Sequence, residues 1–258
     1  GRAPQRAAPA DLKACDEFHM GGAPAAAHLL AQMDFQKTDR VLDVGCGIGG
    51  TARAIVCNYK VSSVVGVDLT QEYVEAGTAI NAWPGIQSAL AGASIELHTA
   101  SATALPFADA SFDKLTMLHV GMNISDKALL FREFARVLKP GGRAGVFDVM
   151  QLAELPLTGL PFPLPWASTA DCSFVETPDL YCAHIKQAGL QLVQDPLNRR
   201  EEILSKLQTQ LAGAVVAGTN ELTLKILMGA SIKEKGPNLI GMAKAGILGP
   251  VEILCRKP

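Results

Sequence analysis

Residues 41–53 read VLDVGCGIGGTAR. Val41, Leu42 and Val44 surround Asp43, and glycines follow at positions 45, 47, 49 and 50. A short apolar run that breaks on clustered glycine predicts a buried strand, a tight turn and the opening of a helix. Gly45, Gly47 and Gly50 have the G-x-G-x-x-G spacing of a dinucleotide site. Asp43, Gly45, Gly47 and Gly49 equally have the D-x-G-x-G-x-G spacing of an S-adenosylmethionine site. Glycine serves both cofactors in the same way, because a side chain would hold the ligand off the backbone and off the helix N-terminus.

Downstream of this turn, apolar runs alternate with helical stretches. Residues 63–70, 94–100, 112–120 and 143–150 read as strands, and 51–58, 71–82 and 127–137 as helices. Such alternation predicts right-handed βαβ units wound on both faces of a parallel sheet, with ligands bound beyond the carboxyl ends of the strands. Upstream, residues 11–35 predict two helices parted by Gly21 and Gly22. Beyond residue 150 the alternation stops at a loop carrying four prolines, Pro156, Pro161, Pro163 and Pro165, which exclude helix and central strand. A helix over 178–188, a strand over 190–196, a long helical region over 199–228, a helix near 239–245 and a strand over 251–257 complete the reading.

The chain thus reads as a flexible tail (1–10) and one α/β domain (11–258), divided into a helical lid (11–35), a cofactor-binding half (36–150) and an acceptor-side half (151–258). Its 258 residues suffice for one large core. With 48% hydrophobic and 19% charged residues the composition is globular. A net charge of -2 offers no cationic field, so neither nucleic acid nor an anionic membrane is an expected partner. Six scattered cysteines without a C-x-x-C suggest reduced thiols in the cytoplasm and no metal site. No apolar run approaches the roughly 18 residues of a membrane span. The long helical region after Arg199 is a candidate homodimer interface.

Asp43 separates the two cofactors. Its carboxylate stands at the end of the first strand, beside the ligand. Next to a pyrophosphate it would repel by several kcal/mol, on the order of a Coulomb term in a reduced dielectric. Next to an ammonium and a sulfonium the sign reverses. Asp68 ends the following strand, 68 − 50 = 18 residues past Gly50, near the ~20 expected of an acid that accepts both ribose hydroxyls. These residues favour S-adenosylmethionine and leave an NAD-linked oxidoreductase as the alternative.

The segments VLDVGCGIGG, VVGVDLT, ALPFADASFD, LHVGMNISDK, FREFARVLKPGGRAGVFDV and PFPLPWA together resemble the class I S-adenosylmethionine-dependent methyltransferases that act on small molecules, in particular the sarcosine and dimethylglycine N-methyltransferases. The resemblance implies a Rossmann-like, mainly parallel sheet of seven strands, with an N-terminal helical lid and a proline-rich insertion. It places Asp43, Gly45, Cys46, Gly47 and Gly49 along the methionine half of the cofactor, Asp68 on the ribose, and Leu69 on the adenine. Ala100-Ser101-Ala102 stands where relatives carry G-D-A, so Ser101 and the backbone of Ala102 are the adenine contacts, without the charge-assisted bond an acid would give. Leu118 belongs to the same cofactor side. The lid candidates are Phe18, His19 and Met20.

For the chemistry, His119 at the end of the fourth strand is the candidate general base, since an imidazole accepts protons near neutral pH. Asn123 would orient an acceptor, or cap the next helix less well than Ser125 or Asp126. Phe162 and Trp166, held by prolines, could wall a cationic amine. His19 completes the acceptor side. His28, His98 and His184 read as structural, and Cys46 has no basic neighbour to make it a nucleophile. The expected activity is methyl transfer to a small molecule, an amine or another metabolite. A third reading is a related protein that binds the cofactor without turnover.

Overall fold

The computed structural model describes residues 5–17, 19–153, 159–206 and 231–258. Phe18, the proline at 156 and most of the expected 199–228 helix lie outside the described residues.

The glycine turn sits where predicted, between β1 (Arg40–Val44) and α3 (Gly50–Tyr59). Before it come α1 (Pro9–Asp16) and α2 (Gly22–Ala31). After it run β2 (Ser63–Asp68), α4 (Gln71–Asn81), α5 (Pro84–Leu90), β3 (Ser94–Thr99), β4 (Phe112–Leu118), α6 (Lys127–Val137) and β5 (Leu138–Gln151). Beyond residue 151 come α7 (Pro178–Gln187), β6 (Gln191–Leu192), β7 (Leu197–Asn198), α8 (Ile232–Lys244) and β8 (Leu248–Arg256).

The strands lie in the order β3-β2-β1-β4-β5-β8-β6, with β7 also on β8. The first five are mutually parallel, whereas β8 runs antiparallel to β5. β6 and β7 pair successive stretches of β8, so eight strands fill seven positions. The chain steps outward from β1 to β3 and then crosses to β4 on the other side of β1. The loops after β1 and β4 therefore diverge, which opens the ligand crevice of a doubly wound sheet.

The inner strands β1, β2, β4 and β5 are covered on both faces, as their largely apolar runs require, whereas β3 at the edge is mostly exposed. Leu130, Phe131, Phe134 and Val137 line one side of α6 and are fully buried against β4, β5 and α7. Each such side chain contributes about 1.5–3 kcal/mol. On the other face Ile55 and Val56 of α3 pack with Ile86 and Leu90 of α5, Leu12 of α1 and Leu30 of α2. A third cluster unites Met20, Leu29, Leu118, Met122 and Phe147 with Leu160, Leu164, Leu239 and Leu248.

Four details depart from the sequence reading. Helix α5 was not foreseen; its seven residues start on Pro84, whose fixed φ suits a first helical position. Of the strand expected over 190–196 only the two residues of β6 form, and β7 follows beyond Pro196, outside that range. The strand expected over 143–150 begins already at Leu138, so that β5 takes in the KPGG segment at 139–142, with a register shift against β4. The helix expected near 239–245 begins at Ile232 and carries Pro237 inside it.

Candidate active site

The turn after β1 is held by two bonds to one acceptor: the N–H groups of Gly45 and Cys46 both donate to the carbonyl of Val67 on β2, at 2.7 and 3.0 Å. Gly45 adopts φ +71°, and a Cβ there would fall 2.1 Å from Val120, so the turn is pressed against the chain leaving β4. Gly47 adopts φ +52°, and a Cβ there would meet nothing within 4 Å. Its glycine answers to backbone conformation and to clear space above the turn. Gly49 precedes α3 without a side-chain cap, leaving the helix opening to serve a ligand.

Asp68 joins the turn to its own strand. One carboxylate oxygen accepts the N–H of Gly47 at 2.8 Å and the other that of Thr70 at 2.9 Å. Leu69 beside it is 76% exposed, a large apolar side chain left in solvent next to the crevice. Past β3, the Ala100 N–H donates to the carbonyl of Asp68, which brings Ser101 and Ala102 to the same rim. The Ser101 hydroxyl lies 2.9 Å from that of Thr103 and accepts the Thr103 N–H, so it closes a local turn. Ala102 packs at the edge of the main core.

Asp43 is buried at 2% exposure. Its Oδ1 accepts the hydroxyl of Thr116, directly across in the β1–β4 register, at 2.8 Å. Its Oδ2 is buried without a partner. Burial pushes this carboxyl up to about 7; the Thr116 bond opposes the shift, and the nearby Glu17 and Asp68 carboxylates add to it. A buried acceptor oxygen with no donor carries a penalty that a cationic ligand would relieve. Cys46, buried in the same turn, has its thiol driven far above the usual range, chiefly by burial and then by Asp43 and Asp68, and is no nucleophile.

The N-terminal segment closes over this turn. Arg53 of α3, fully buried, donates to Asp16 at the end of α1 at 2.9 Å and to Asn81 of α4 at 2.7 Å. Neither this anchor nor Thr116 was singled out from sequence. Immediately beyond it, His19 Nε2 lies 2.8 Å from Glu17 Oε2, and both side chains are only 4% exposed. The rings of His19, His119 and Phe147 form a triangle with centroids 5.8, 6.2 and 4.9 Å apart.

His119 takes φ +56° and donates its main-chain N–H to the carbonyl of Phe147 at 2.7 Å. Its Nδ1 lies 3.2 Å from the same carbonyl, and its Nε2 accepts the N–H of Met20 at 3.1 Å. Burial, and then the neighbouring His19, hold its proton affinity well below the ordinary histidine range. Leu118 joins the apolar cluster that includes Met20 and Phe147. Asn123 is exposed in a short 3-10 turn and bonds back to Val120, while Asp126 is the residue that caps α6. Phe162 and Trp166 pack against the Met20 cluster, and the Trp166 indole donates to Ser173 at 3.0 Å. The histidines read as structural have carboxylate neighbours: His28 with Glu252, His98 with Glu96 and His184 with Glu176. Among the described residues no group of three or more His, Cys, Asp or Glu side chains gathers to hold a metal. No described helix is long and apolar enough to cross a membrane.

The sheet order, the glycine turn and the two strand-ending acids define a doubly wound nucleoside-binding fold of the methyltransferase type. Residues 42–146 match the family model described as a methyltransferase domain. Among curated proteins the chain is 27% identical over 184 residues to "Methyltransferase GfsG" of Streptomyces halstedii, covering 71% of this chain and 64% of that protein. It is 36% identical over 119 residues to the ubiquinone/menaquinone biosynthesis C-methyltransferase UbiE of Geotalea uraniireducens, covering 45% and 48%. The chain thus spans less than two thirds of the length of either. In fold it is similar to the crystal structure of a putative sarcosine dimethylglycine methyltransferase from Galdieria sulphuraria, with a TM-score of 0.70, 23% identity, and 91% and 84% of the two chains covered.

Proposed function

We propose that this protein transfers the methyl group of S-adenosylmethionine to a small-molecule acceptor, an amine or another metabolite. The observation that carries the reading is Asp43: a buried carboxylate with one oxygen unpartnered, under the influence of two further acids, Glu17 and Asp68. Three carboxylates around one glycine turn suit a cationic cofactor and would repel a pyrophosphate by several kcal/mol, on the order of the Coulomb energy in a partly buried site. That weighs against the NAD-linked alternative.

The residues present fit the cofactor. Asp43 and the backbone of Gly45 to Gly49 would hold its amino-acid part, Asp68 its ribose, and Leu69, Ser101 and Ala102 its adenine. When bound, S-adenosylmethionine supplies an electrophilic methyl group on a sulfur that leaves as a neutral thioether. The chain's own contribution is to orient an acceptor lone pair in line with that methyl and to exclude water. The lid residues His19 and Met20, with Asn123, Phe162 and Trp166, would bound the acceptor. All six cysteines are unpaired, which supports a reducing compartment such as the cytoplasm. Pairing of two copies is read by sedimentation of the cofactor-bound protein.

Thermal unfolding with S-adenosylhomocysteine and with NAD tests the cofactor. A rise in Tm with the former alone is expected; protection by NAD alone would reverse the reading. Incubation with methyl-labelled cofactor and metabolite pools then separates an enzyme from a protein that only binds.

A further inference from the structure

The lid carries a histidine whose bonding state is that of a general base. His19 Nε2 is 2.8 Å from the Glu17 carboxylate, and the two side chains are sealed to 4% exposure. A carboxylate only accepts, so Nε2 carries the proton and Nδ1 presents its lone pair. That Nδ1 is buried and has no hydrogen-bond partner. An acceptor-only ring nitrogen, buried, unsatisfied and backed by a carboxylate on the opposite nitrogen, is the arrangement that orients an imidazole for proton abstraction and stabilises the imidazolium that forms. The ring stands over the carboxyl ends of β1 and β4, since Glu17 acts on Asp43 and the His19 ring faces His119 and Phe147.

The sequence points instead to His119. Its ring is committed: with Nδ1–H directed at the carbonyl of Phe147, Nε2 is the acceptor for the Met20 N–H. No lone pair remains for an acceptor's proton. His119 holds the lid residue that follows His19.

We propose that Glu17 and His19 form the proton-accepting dyad of the methyl transfer, and that the acceptor is a neutral hydroxyl compound of phenolic or enolic type on an apolar body. The proposal rests on the methyltransferase reading and deepens it. The surroundings favour a neutral group, because Met20, Leu118, Met122 and Phe147 make an apolar wall at this position, with Phe162 and Trp166 packed against it. As the acceptor oxygen bonds to the methyl carbon, the carbon–sulfur bond breaks with its electron pair passing to sulfur. The hydroxyl proton passes to Nδ1 of His19, and the new positive charge faces Glu17 through Nε2–H. His19 is the catalytic residue and Glu17 its positioning residue.

The test compares two acceptor probes of different acidity, phenol and 4-nitrophenol, with methyl-labelled S-adenosylmethionine at about pH 8, where phenol is protonated and the nitrophenol largely ionised. Calorimetry with S-adenosylhomocysteine reports folding and cofactor binding of each variant. The expected result is that wild type methylates both, that His19→Asn lowers kcat on phenol by about 10²–10⁴-fold, and that the loss largely vanishes on 4-nitrophenol. Glu17→Gln should show a smaller kcat loss with the same dependence on acceptor acidity, read at saturating cofactor because Glu17 is also one of the carboxylates around the cofactor turn, whereas His19→Asn should keep its cofactor affinity within about threefold. Equal losses on the two probes, or a His19→Asn loss matched by lost cofactor affinity, would overturn the dyad. So would a wild type that binds S-adenosylhomocysteine yet methylates neither probe, or only the ionised one. Failure of the wild type to bind S-adenosylhomocysteine at all would instead remove the methyltransferase reading beneath it.

Discussion

The main-chain N–H of Met20 donates to the ring of His119 across 3.1 Å, joining the N-terminal lid to the end of β4 over 99 residues of sequence. The opposite ring nitrogen of His119 faces the carbonyl of Phe147 at 3.2 Å. His119→Ala removes both bonds and should cost about 1–3 kcal/mol. Because one bond belongs to the lid, amide exchange at Met20 should quicken far more than exchange in β4. Equal changes in both places would show that the contact does not hold the lid.

Two glycines of the same turn should fail in different ways. Gly45→Ala needs φ +71° and places a Cβ 2.1 Å from the Val120 side chain, which follows β4. A loss of roughly 3 kcal/mol or more in unfolding free energy is expected. Gly47→Ala meets only the conformational cost, about 1 kcal/mol, since its Cβ touches nothing. It should keep the fold and lose S-adenosylhomocysteine affinity, because the new methyl projects where the cofactor backbone must approach. Denaturant unfolding and calorimetry on both variants separate these outcomes.

Arg53 is 1% exposed and its charge is met by Asp16, with Asn81 as a neutral partner. Asp16→Ala would leave a buried guanidinium without its anion, at a cost of about 3–5 kcal/mol. Replacing the pair together, Asp16→Leu with Arg53→Met, should cost much less. A double-mutant cycle on Tm checks this; additive losses would mean that the two residues do not act as a unit.

The inner strands of the sheet were legible in the sequence because they are buried and read as apolar runs, β1 and β2 stopping at glycine and acid, whereas the exposed β3 shows only a short alternation. Asp43 and Asp68 follow from position alone, since both end strands. The bounds of α6 were readable to the residue, with an apolar face between Asp126 and the strand beyond. Helix α5 escaped because seven residues opening on proline carry too little periodicity. Thr116 and Arg53 escaped for another reason: each acts across elements, Thr116 through the β1–β4 register and Arg53 through a lid whose docking no local pattern encodes. The Glu17–His19 pair had a faint signal, an acid two residues before a histidine, but its meaning depends on the burial that folding gives it. His119 was placed correctly at the strand end, whereas its hydrogen bonds could be read only from the fold.

Asp43 bears the main claim, and its protonation gives the most direct test. Burial raises its carboxyl to about 7, above the ~3.9 of an unfolded aspartate. The folded protein therefore retains a proton between about pH 4 and 7 that the unfolded chain releases, and this group's contribution to stability falls as pH rises through that window. Binding an ammonium beside the carboxylate demands the ionised form, so below pH 7 the proton must leave first. Calorimetric titration with S-adenosylhomocysteine from pH 5 to 8 should show affinity rising about tenfold per pH unit and levelling above 7, with weak and pH-independent binding by Asp43→Asn. A wild-type affinity that stays flat across this range, or an Asp43→Asn variant that binds as tightly as wild type, would contradict the account.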